Sequence, residues 1–433
     1  MLPPRGVRRL VSAPLVVVMA VALAILAPPL AILSLAFHLV RSRTKPGSKK
    51  RHMRALRVVC FALIWFLGET AALTVCLCLW IVSGFGGRLD TEPYQSRHYA
   101  VMQWFLNLLY RAARHTCGLR VEVSGPPGEA SLDGRPLIVL SRHAGPGDSL
   151  LLVHHLLTAC GRRPRVVMKA SLQLDPSLDV VANRLPMAFV HRRKTPGTRH
   201  PPHSTAEIRR LAASLDPQGA LVIFPEGGNW TPLRWRRSVA QLRRRGLDNL
   251  AERAVAMPRL LAPRSGGAFA AIAACPSADV IFVAHTGLDR LVSVRDVWRS
   301  LSADMVVRAR WWRVPASEVP RAAGSQAQVG WLYDWWERLN AWIVSADPAQ
   351  LQPSVVDGAG AGSAVADAVP RQAGQDREPA GARGIAQEDK RLAAPRDEAA
   401  GDGDLQRSRQ GRAAGHGKLT ESAASGAPGD GDR

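Results

Sequence analysis

The chain has 433 residues, which is enough for one large domain or two ordinary ones around a hydrophobic core. Its 57 Lys and Arg residues outweigh 35 Asp and Glu residues, giving a formal net charge of +22. This charge predicts an anionic partner: a membrane surface, a phosphorylated substrate or a nucleic acid. The six cysteines have none of the paired spacings of a zinc site, so we interpret them as reduced and structural.

Two long apolar stretches open the chain, at about residues 10–40 and 58–85. Each is long enough to cross a hydrocarbon core of ~30 Å, so the sequence predicts membrane attachment. Arg5, Arg8 and Arg9 precede the first stretch as in a cleaved signal peptide. We disfavour cleavage because the apolar part of a signal peptide has only ~7–15 residues.

The connector between the two stretches, residues 41–57, is strongly basic and is predicted to stay cytoplasmic. Two full spans would then export everything after Phe85. We therefore hypothesise that one stretch is re-entrant, with a break at Pro28-Pro29 or a shallow turn near Gly68-Glu69. A functional carboxylate within the membrane is the alternative interpretation of Glu69.

Apolar residues recur with helical spacing between Arg97 and His115, at Val101, Trp104, Phe105, Leu108, Leu109 and Ala112. The pattern predicts an amphipathic helix. Its position directly after the apolar stretches favours a helix at the membrane interface. A helix that faces the core of the following domain has the same pattern and is the alternative.

Between about Gly118 and Ile343, short apolar runs alternate with amphipathic segments. This alternation predicts an α/β fold with a largely parallel central sheet flanked by helices. The predicted strands are LRVEV, PLIVLS, RVVM, MAFVH, ALVIFP, DVIFVAH and MVVRAR. A tail from about Pro348, rich in Gly, Ala, Asp, Arg and Gln, is predicted to be disordered. We therefore expect an N-terminal hydrophobic membrane anchor with its basic connector (1–96), a catalytic domain (97–345) and a disordered C-terminal tail (346–433).

His143 and Asp148 stand five positions apart around a Gly-Pro-Gly turn, in a loop between a predicted strand and helix. Ligands bind at such loops in open α/β sheets. If Asp148 accepts a hydrogen bond from one imidazole nitrogen, the other nitrogen is held as a proton acceptor. The alternative is that Asp148 only caps the helix and His143 is an ordinary loop residue.

A second block follows a buried-type strand and consists of Phe224, Pro225, Glu226 and Gly227, followed by Gly228. The backbone amides of a glycine turn can face an anionic group. The alternative is an ordinary turn at a strand end with a structural glutamate.

Taken in this order, the two blocks resemble those of the glycerophospholipid acyltransferase family, of which lysophosphatidate acyltransferase is the best-known member. The HxxxxD block matches His143 and Asp148, and the FPEG block matches residues 224–227. Weaker similarities are Lys169 after RVVM, Arg192 and Arg193 in FVHRR, and the turn 261–267, where many members have proline, arginine and glycine. The resemblance covers roughly residues 100–345.

The resemblance implies transfer of an acyl chain from acyl-CoA or acyl carrier protein to the free hydroxyl of 1-acylglycerol-3-phosphate in phospholipid biosynthesis. His143 would be the general base and Asp148 its orienting partner. The acceptor's phosphate would be bound by the FPEG block and by nearby basic residues, with candidates Lys169, Arg192 and Arg193. We expect no metal or other cofactor. The expected partners are acyl-CoA, a lysophospholipid acceptor and an anionic membrane but no nucleic acid, with the catalytic domain on the cytoplasmic face of the cell membrane.

The chain departs from the family at one point, because Gly228 and Asn229 follow the FPEG block where members commonly have Thr-Arg. The cluster Arg234, Arg236 and Arg237 could supply the missing charge. Alternatively, the enzyme acylates a different lysolipid or a glycolipid. A hydrolase is disfavoured because the chain lacks a GxSxG elbow. A non-catalytic basic membrane adaptor is also disfavoured, since it would not need both blocks.

Overall fold

The computed structural model describes residues 3–41, 48–125, 134–145, 147–190, 202–289, 305–321 and 325–346. The chain divides into two units, Met1–Gly358 and Ala359–Arg433, and every described residue belongs to the first. The tail predicted to be disordered lies outside the described residues from position 347 onward.

A seven-stranded sheet lies at the centre of the described part of the chain. Its strands are β1 (Arg120–Ser124), β2 (Leu137–Ser141), β3 (Arg163–Lys169), β4 (Ala188–Val190), β5 (Gly219–Ile223), β6 (Asp279–Thr286) and β7 (Val306–Val314). The order is β1-β7-β6-β2-β5-β3-β4, and every neighbouring pair is parallel except β6 and β7. Each strand lies where an apolar run predicts it, and the largely parallel sheet is confirmed.

The helices are α1 (Arg5–Arg41), α2 (Ser48–Val82), α3 (Glu92–Cys117), α4 (Asp148–Thr158), α5 (Pro176–Ala182), α6 (Pro202–Ala213), α7 (Pro232–Arg243), α8 (Asp248–Val255), α9 (Ser265–Ala274) and α10 (Ser325–Ala346). Two 3-10 turns, Ala170–Leu174 and Ala316–Glu318, complete the described elements.

Strands β2, β5 and β6 are buried along their whole length. Their side chains alternate between two cores, because successive residues of a strand point to opposite faces. Ile138 of β2 faces α6, α9 and α10, and its neighbour Val139 faces α3 and α4. Helices cover both faces, which is why these strands are continuous apolar runs in the sequence.

Helix α3 packs between α2 and the sheet, so most of its apolar stripe faces the protein. Val101 and Leu109 are buried, and the ring of Phe105 meets Trp65 of α2 edge-on at 6.2 Å. Trp104 alone in the stripe is strongly exposed, at 47%. The interpretation of α3 as an interfacial helix is therefore wrong for most of the stripe, and the core-facing alternative holds.

Both N-terminal helices contain segments long and apolar enough to cross a membrane, Arg5–Leu33 and Leu56–Val82. Helix α1 continues through Pro28 and Pro29, and α2 continues through Gly68 and Glu69. The chain breaks predicted at these positions are wrong. Gly68 instead permits close packing of α2 on α3, because a Cβ there would lie 2.6 Å from the side chain of Leu108.

Polar contacts join the two N-terminal helices to α5 of the domain that contains the sheet. Asp179 accepts hydrogen bonds from Arg8, at 2.5 Å, and from Arg9, at 2.7 Å. Glu69 accepts one from the backbone of Ser177, at 3.3 Å. The start of α1 and the second half of α2 thus lie at the domain, and the ends that the basic connector joins lie at the opposite end of the helix pair.

Candidate active site

The HxxxxD block forms the loop between β2 and α4, and two glycines determine its path. A Cβ at Gly145 would lie 2.7 Å from the carbonyl oxygen of Leu288, so only glycine allows this close approach. Gly147 has φ of +92°, in the left-handed region where side chains are strained. Pro146, between them, lies outside the described residues. The loop turns back on itself and brings His143 to Asp148.

The His143 and Asp148 side chains are in direct hydrogen-bond contact. Nδ1 of His143 lies 2.8 Å from Oδ2 of Asp148 and 3.1 Å from Oδ1. Because an ionised carboxylate only accepts hydrogen bonds, Nδ1 carries the proton and Nε2 of the neutral ring is left as the acceptor. The imidazole side chain is 20% exposed, whereas the carboxylate is 1% exposed. The partly open ring can therefore meet a ligand, with its partner held beneath it.

Asp148 also receives hydrogen bonds from backbone amides of its own loop. Oδ2 accepts from Ala144 at 2.8 Å and from Gly145 at 3.3 Å, and Oδ1 accepts from Ser149 at 2.6 Å. Burial alone would raise the pKa of Asp148, but the hydrogen bond from His143 and the other contacts hold the pKa below its ordinary value. The carboxylate thus shapes the loop and also orients His143.

A second layer of buried polar groups supports the loop from below. Arg142 is fully buried and donates to the carbonyl of His285 and to the carboxylate of Asp289. Nε2 of His285 lies 3.3 Å from the carbonyl oxygen of Arg142 and 3.7 Å from Oδ2 of Asp148. Burial lowers the pKa of His285, and the charge of Arg142 lowers it further.

These supporting residues do not stand in either motif. Arg142 precedes the motif histidine, and His285 lies near the carboxyl end of β6, directly beside β2 in the sheet. The signal that could have found His285 is a histidine at the end of an otherwise apolar buried strand. Its significance depends on β6 pairing with β2, which the local sequence does not show.

The FPEG block forms the turn after β5, and Glu226 joins it to two other segments. Oε1 of Glu226 accepts from the backbone amide of His143, and Oε2 accepts from that of Leu261, both at 3.3 Å. The residue is only 3% exposed, and burial raises its pKa to about 8. Glu226, predicted as a substrate-binding residue, therefore has its carboxyl group turned inward, where it holds the catalytic loop against the turn.

The other residues of the block lie around His143. The ring of Phe224 packs on the imidazole, with centroids 4.6 Å apart, and the backbone amide of Trp230 donates to the carbonyl of His143 at 2.7 Å. Pro225 is buried, whereas Gly227 is exposed and has φ of +69°. The turn thus borders the exposed edge of the histidine.

The basic residues predicted to bind the acceptor's phosphate are only partly described by the structure. Lys169 is exposed at the carboxyl end of β3, on the same edge of the sheet as the ends of β2 and β5. Arg192 and Arg193 lie outside the described residues. Across the described ranges, no group of three or more His, Cys, Asp or Glu side chains is placed to hold a metal ion.

Comparisons with known proteins identify similarity in the segment that contains this site. The family model Acyltransferase matches residues 120–286, which include both motifs. No curated relative matches the sequence. Among solved structures, the chain is similar to the 1-acyl-sn-glycerophosphate acyltransferase PlsC of Thermotoga maritima at 14% identity and a TM-score of 0.37, covering 64% of this chain and 97% of that one. The segment that matches the Acyltransferase family model thus contains both motifs on which the resemblance was predicted.

Proposed function

We propose that the protein is an O-acyltransferase that moves a fatty acyl chain from acyl-CoA or acyl carrier protein to the free hydroxyl of 1-acylglycerol-3-phosphate, a step of phospholipid biosynthesis. The observation that carries the proposal is the hydrogen bond between Nδ1 of His143 and Asp148 beneath a partly exposed imidazole. This arrangement supplies a general base and leaves the hydroxyl to come from the substrate.

In this mechanism, Nε2 of His143 takes the proton from the acceptor hydroxyl as its oxygen attacks the thioester carbonyl. The tetrahedral intermediate collapses, the carbon–sulfur bond breaks, and the proton on His143 passes to the departing thiolate. Asp148 stays ionised throughout and stabilises the transient imidazolium. No acyl-enzyme forms and no cofactor takes part, so the co-substrates alone balance the reaction.

Glu226 and Phe224 position the base in this proposal. Glu226 holds the backbone of His143, and Phe224 packs on one side of its ring. A general base must stay within hydrogen-bond reach of the proton it takes, and both contacts restrict the movement of the imidazole.

The presence of Asn229 after the FPEG block suggests an alternative acceptor lipid. Without the usual motif arginine, a lysolipid with a phosphodiester headgroup or a glycolipid becomes a candidate acceptor. A non-catalytic basic membrane adaptor is the alternative to enzymatic activity, and it predicts no dependence on His143.

The proposed location is the cell membrane, with the catalytic domain on the cytoplasmic face, where acyl thioesters are found. The two apolar helices support membrane association. Arg41 and Ser48, the helix ends that the basic connector joins, lie at the far end of the helix pair from the domain. If both helices span the membrane, a cytoplasmic domain places Ser48 on the opposite face, against the cytoplasmic location that the charge of the connector predicted. Thiol labelling of a cysteine placed at Ser48 and of one placed at Lys169 tests this orientation. If the domain is cytoplasmic, a membrane-impermeant thiol reagent must label the cysteine at position 169 only after the membrane is permeabilised.

The test of function is acyl transfer by membranes that contain the protein or its His143→Ala form. Labelled acyl-CoA is offered with lysophosphatidate, a phosphodiester lysolipid or a glycolipid. We expect labelled phosphatidate from the parent and a loss of about 10²–10⁴-fold in the variant. Label in another lipid would change the acceptor and keep the chemistry. Equal activity of the two proteins, or no transfer to any acceptor, would refute the proposal.

A further inference from the structure

Two arginine side chains lie on the turn where the family motif lacks its arginine. A Cβ built on Gly227 would lie 3.0 Å from the guanidinium carbon of Arg264 and 3.0 Å from its Nη1. A Cβ built on Gly228 would lie 3.2 Å from Nη1 of Arg234. The guanidinium groups therefore rest against two consecutive glycines of one turn.

The structure holds each arginine in place through its backbone. The amide of Arg264 donates to the carbonyl of Pro225 at 3.0 Å. The amide of Arg234 donates to the hydroxyl of Thr231, the N-cap of α7, at 3.2 Å. The Nη1 of Arg234 donates to the carbonyl of Asn229 at 3.0 Å. The arginines come from different segments, one at the start of α9 and the other in the first turn of α7.

Gly227 in particular favours this arrangement. Gly227 has a positive φ, and any side chain there would both strain the backbone and occupy the space of the Arg264 guanidinium. Because the two consecutive glycines carry no side chains, a guanidinium group can lie directly against the backbone of the turn.

The turn is directly linked to the catalytic base. Its Glu226 binds the backbone of His143, and its Trp230 donates to the His143 carbonyl. Burial raises the pKa of Glu226 to about 8, which reduces the negative charge that this residue places at the turn near neutral pH. The two guanidinium groups thus lie on a turn whose Glu226 and neighbouring Trp230 contact the backbone of His143.

We propose that Arg234 and Arg264 bind the phosphate of the acceptor and together replace the missing motif arginine. The inference rests on the proposed function and deepens it, since it assigns the side chains that bind the acceptor's phosphate. Guanidinium groups suit this ligand because each can donate two hydrogen bonds to phosphate oxygens. Of the three clustered arginines on α7, the structure thus selects Arg234, since its guanidinium lies against Gly228 of the turn.

The test compares acceptors that differ only in the phosphate, lysophosphatidate and monoacylglycerol with the same acyl chain. Arg234→Gln and Arg264→Gln are each expected to raise KM for lysophosphatidate by about 10-fold or more, with little change for monoacylglycerol. Arg264→Lys keeps the charge and loses the fork, so it should recover only part of the loss. Arg237→Gln removes the same charge from an exposed position of α7 and should behave as the parent.

A binding measurement separates this inference from the proposed function. Calorimetric titration of lysophosphatidate in neutral detergent micelles needs no turnover, and the double variant Arg234→Gln/Arg264→Gln should bind about 100-fold more weakly than the parent. If the parent transfers acyl chains but the variants lose both acceptors equally or bind lysophosphatidate unchanged, the arginine assignment is overturned and the enzyme remains. If the parent transfers to no acceptor, the proposed function fails, and the titration still decides whether these arginines bind phosphate.

Discussion

Replacing Asp148 with asparagine tests how much of the site depends on one carboxylate. Asp148 accepts from His143, Ala144, Gly145 and Ser149, and three of these donors meet at Oδ2. In Asp148→Asn, the amide oxygen takes the Oδ2 position and the amide nitrogen faces the Ser149 donor. One hydrogen bond is lost and the others no longer have a charged acceptor, so we expect a loss of about 3–5 kcal/mol in the free energy of unfolding. Acyl transfer should fall about 10²–10⁴-fold, because His143 loses its orienting partner.

The matched comparison is His143→Ala, which removes only the donor at Nδ1 and leaves the three backbone bonds of Asp148 in place. We expect a similar loss of activity but a smaller loss of stability, about 1–2 kcal/mol. Urea unfolding of the detergent-solubilised proteins and acyl transfer in membranes measure the two effects. The folded-state pKa of Asp148 is lowered, so its stabilisation is complete at neutral pH and is lost as the pH falls through that pKa. Parent and Asp148→Asn should therefore converge in acid, and equal stability at neutral pH would refute this account.

Three further changes test the supports of the site and of the N-terminal helices. Gly145→Ala places a Cβ against a backbone carbonyl and should lower the free energy of unfolding by about 1–3 kcal/mol. The control is Gly330→Ala in α10, where the Cβ enters open space and should cost nothing. Equal effects of the two substitutions would contradict the packing argument. The parent should lose stability as the pH falls below about 6.5, because His285 is protonated in the unfolded chain but stays neutral in the folded protein, where its pKa is lowered. His285→Gln should lessen this loss between about pH 7.5 and 5.5. Identical slopes of unfolding free energy against pH in the two proteins would argue against this role of His285. Asp179→Ala leaves the buried Arg8 without its carboxylate partner, at a cost of about 3–5 kcal/mol in the free energy of unfolding, and should speed tryptic cleavage near the start of α1. Cleavage at the rate of the parent would show that this contact does not hold α1.

Local sequence determined the position of every strand and the meeting of His143 with Asp148. Strands such as β2 and β5 are buried on both faces, so they had to be short continuous apolar runs, and such runs are visible without a structure. His143 and Asp148 are five residues apart around a glycine turn, so the sequence indicated that their side chains could meet, and the structure shows that they do. The apolar length of the first helices also predicts membrane attachment directly.

Tertiary structure decided which face of α3 is buried, because a helical apolar stripe suits a membrane surface and a protein core equally well. Helix α1 also continues through Pro28 and Pro29, although proline disfavours the interior of an isolated helix. The face of α3 that is buried depends on the elements around the helix and cannot be read from its own residues.

The supporting shell of the active site was likewise decided by the order of the strands. His285 and Arg142 are 143 positions apart and meet because β6 lies beside β2. Arg264 reaches Gly227 because the segment before α9 returns to the end of β5. The sequence by itself therefore determined the reacting pair and the turn, since both are local, whereas the charges placed around them arise only when distant segments pack together.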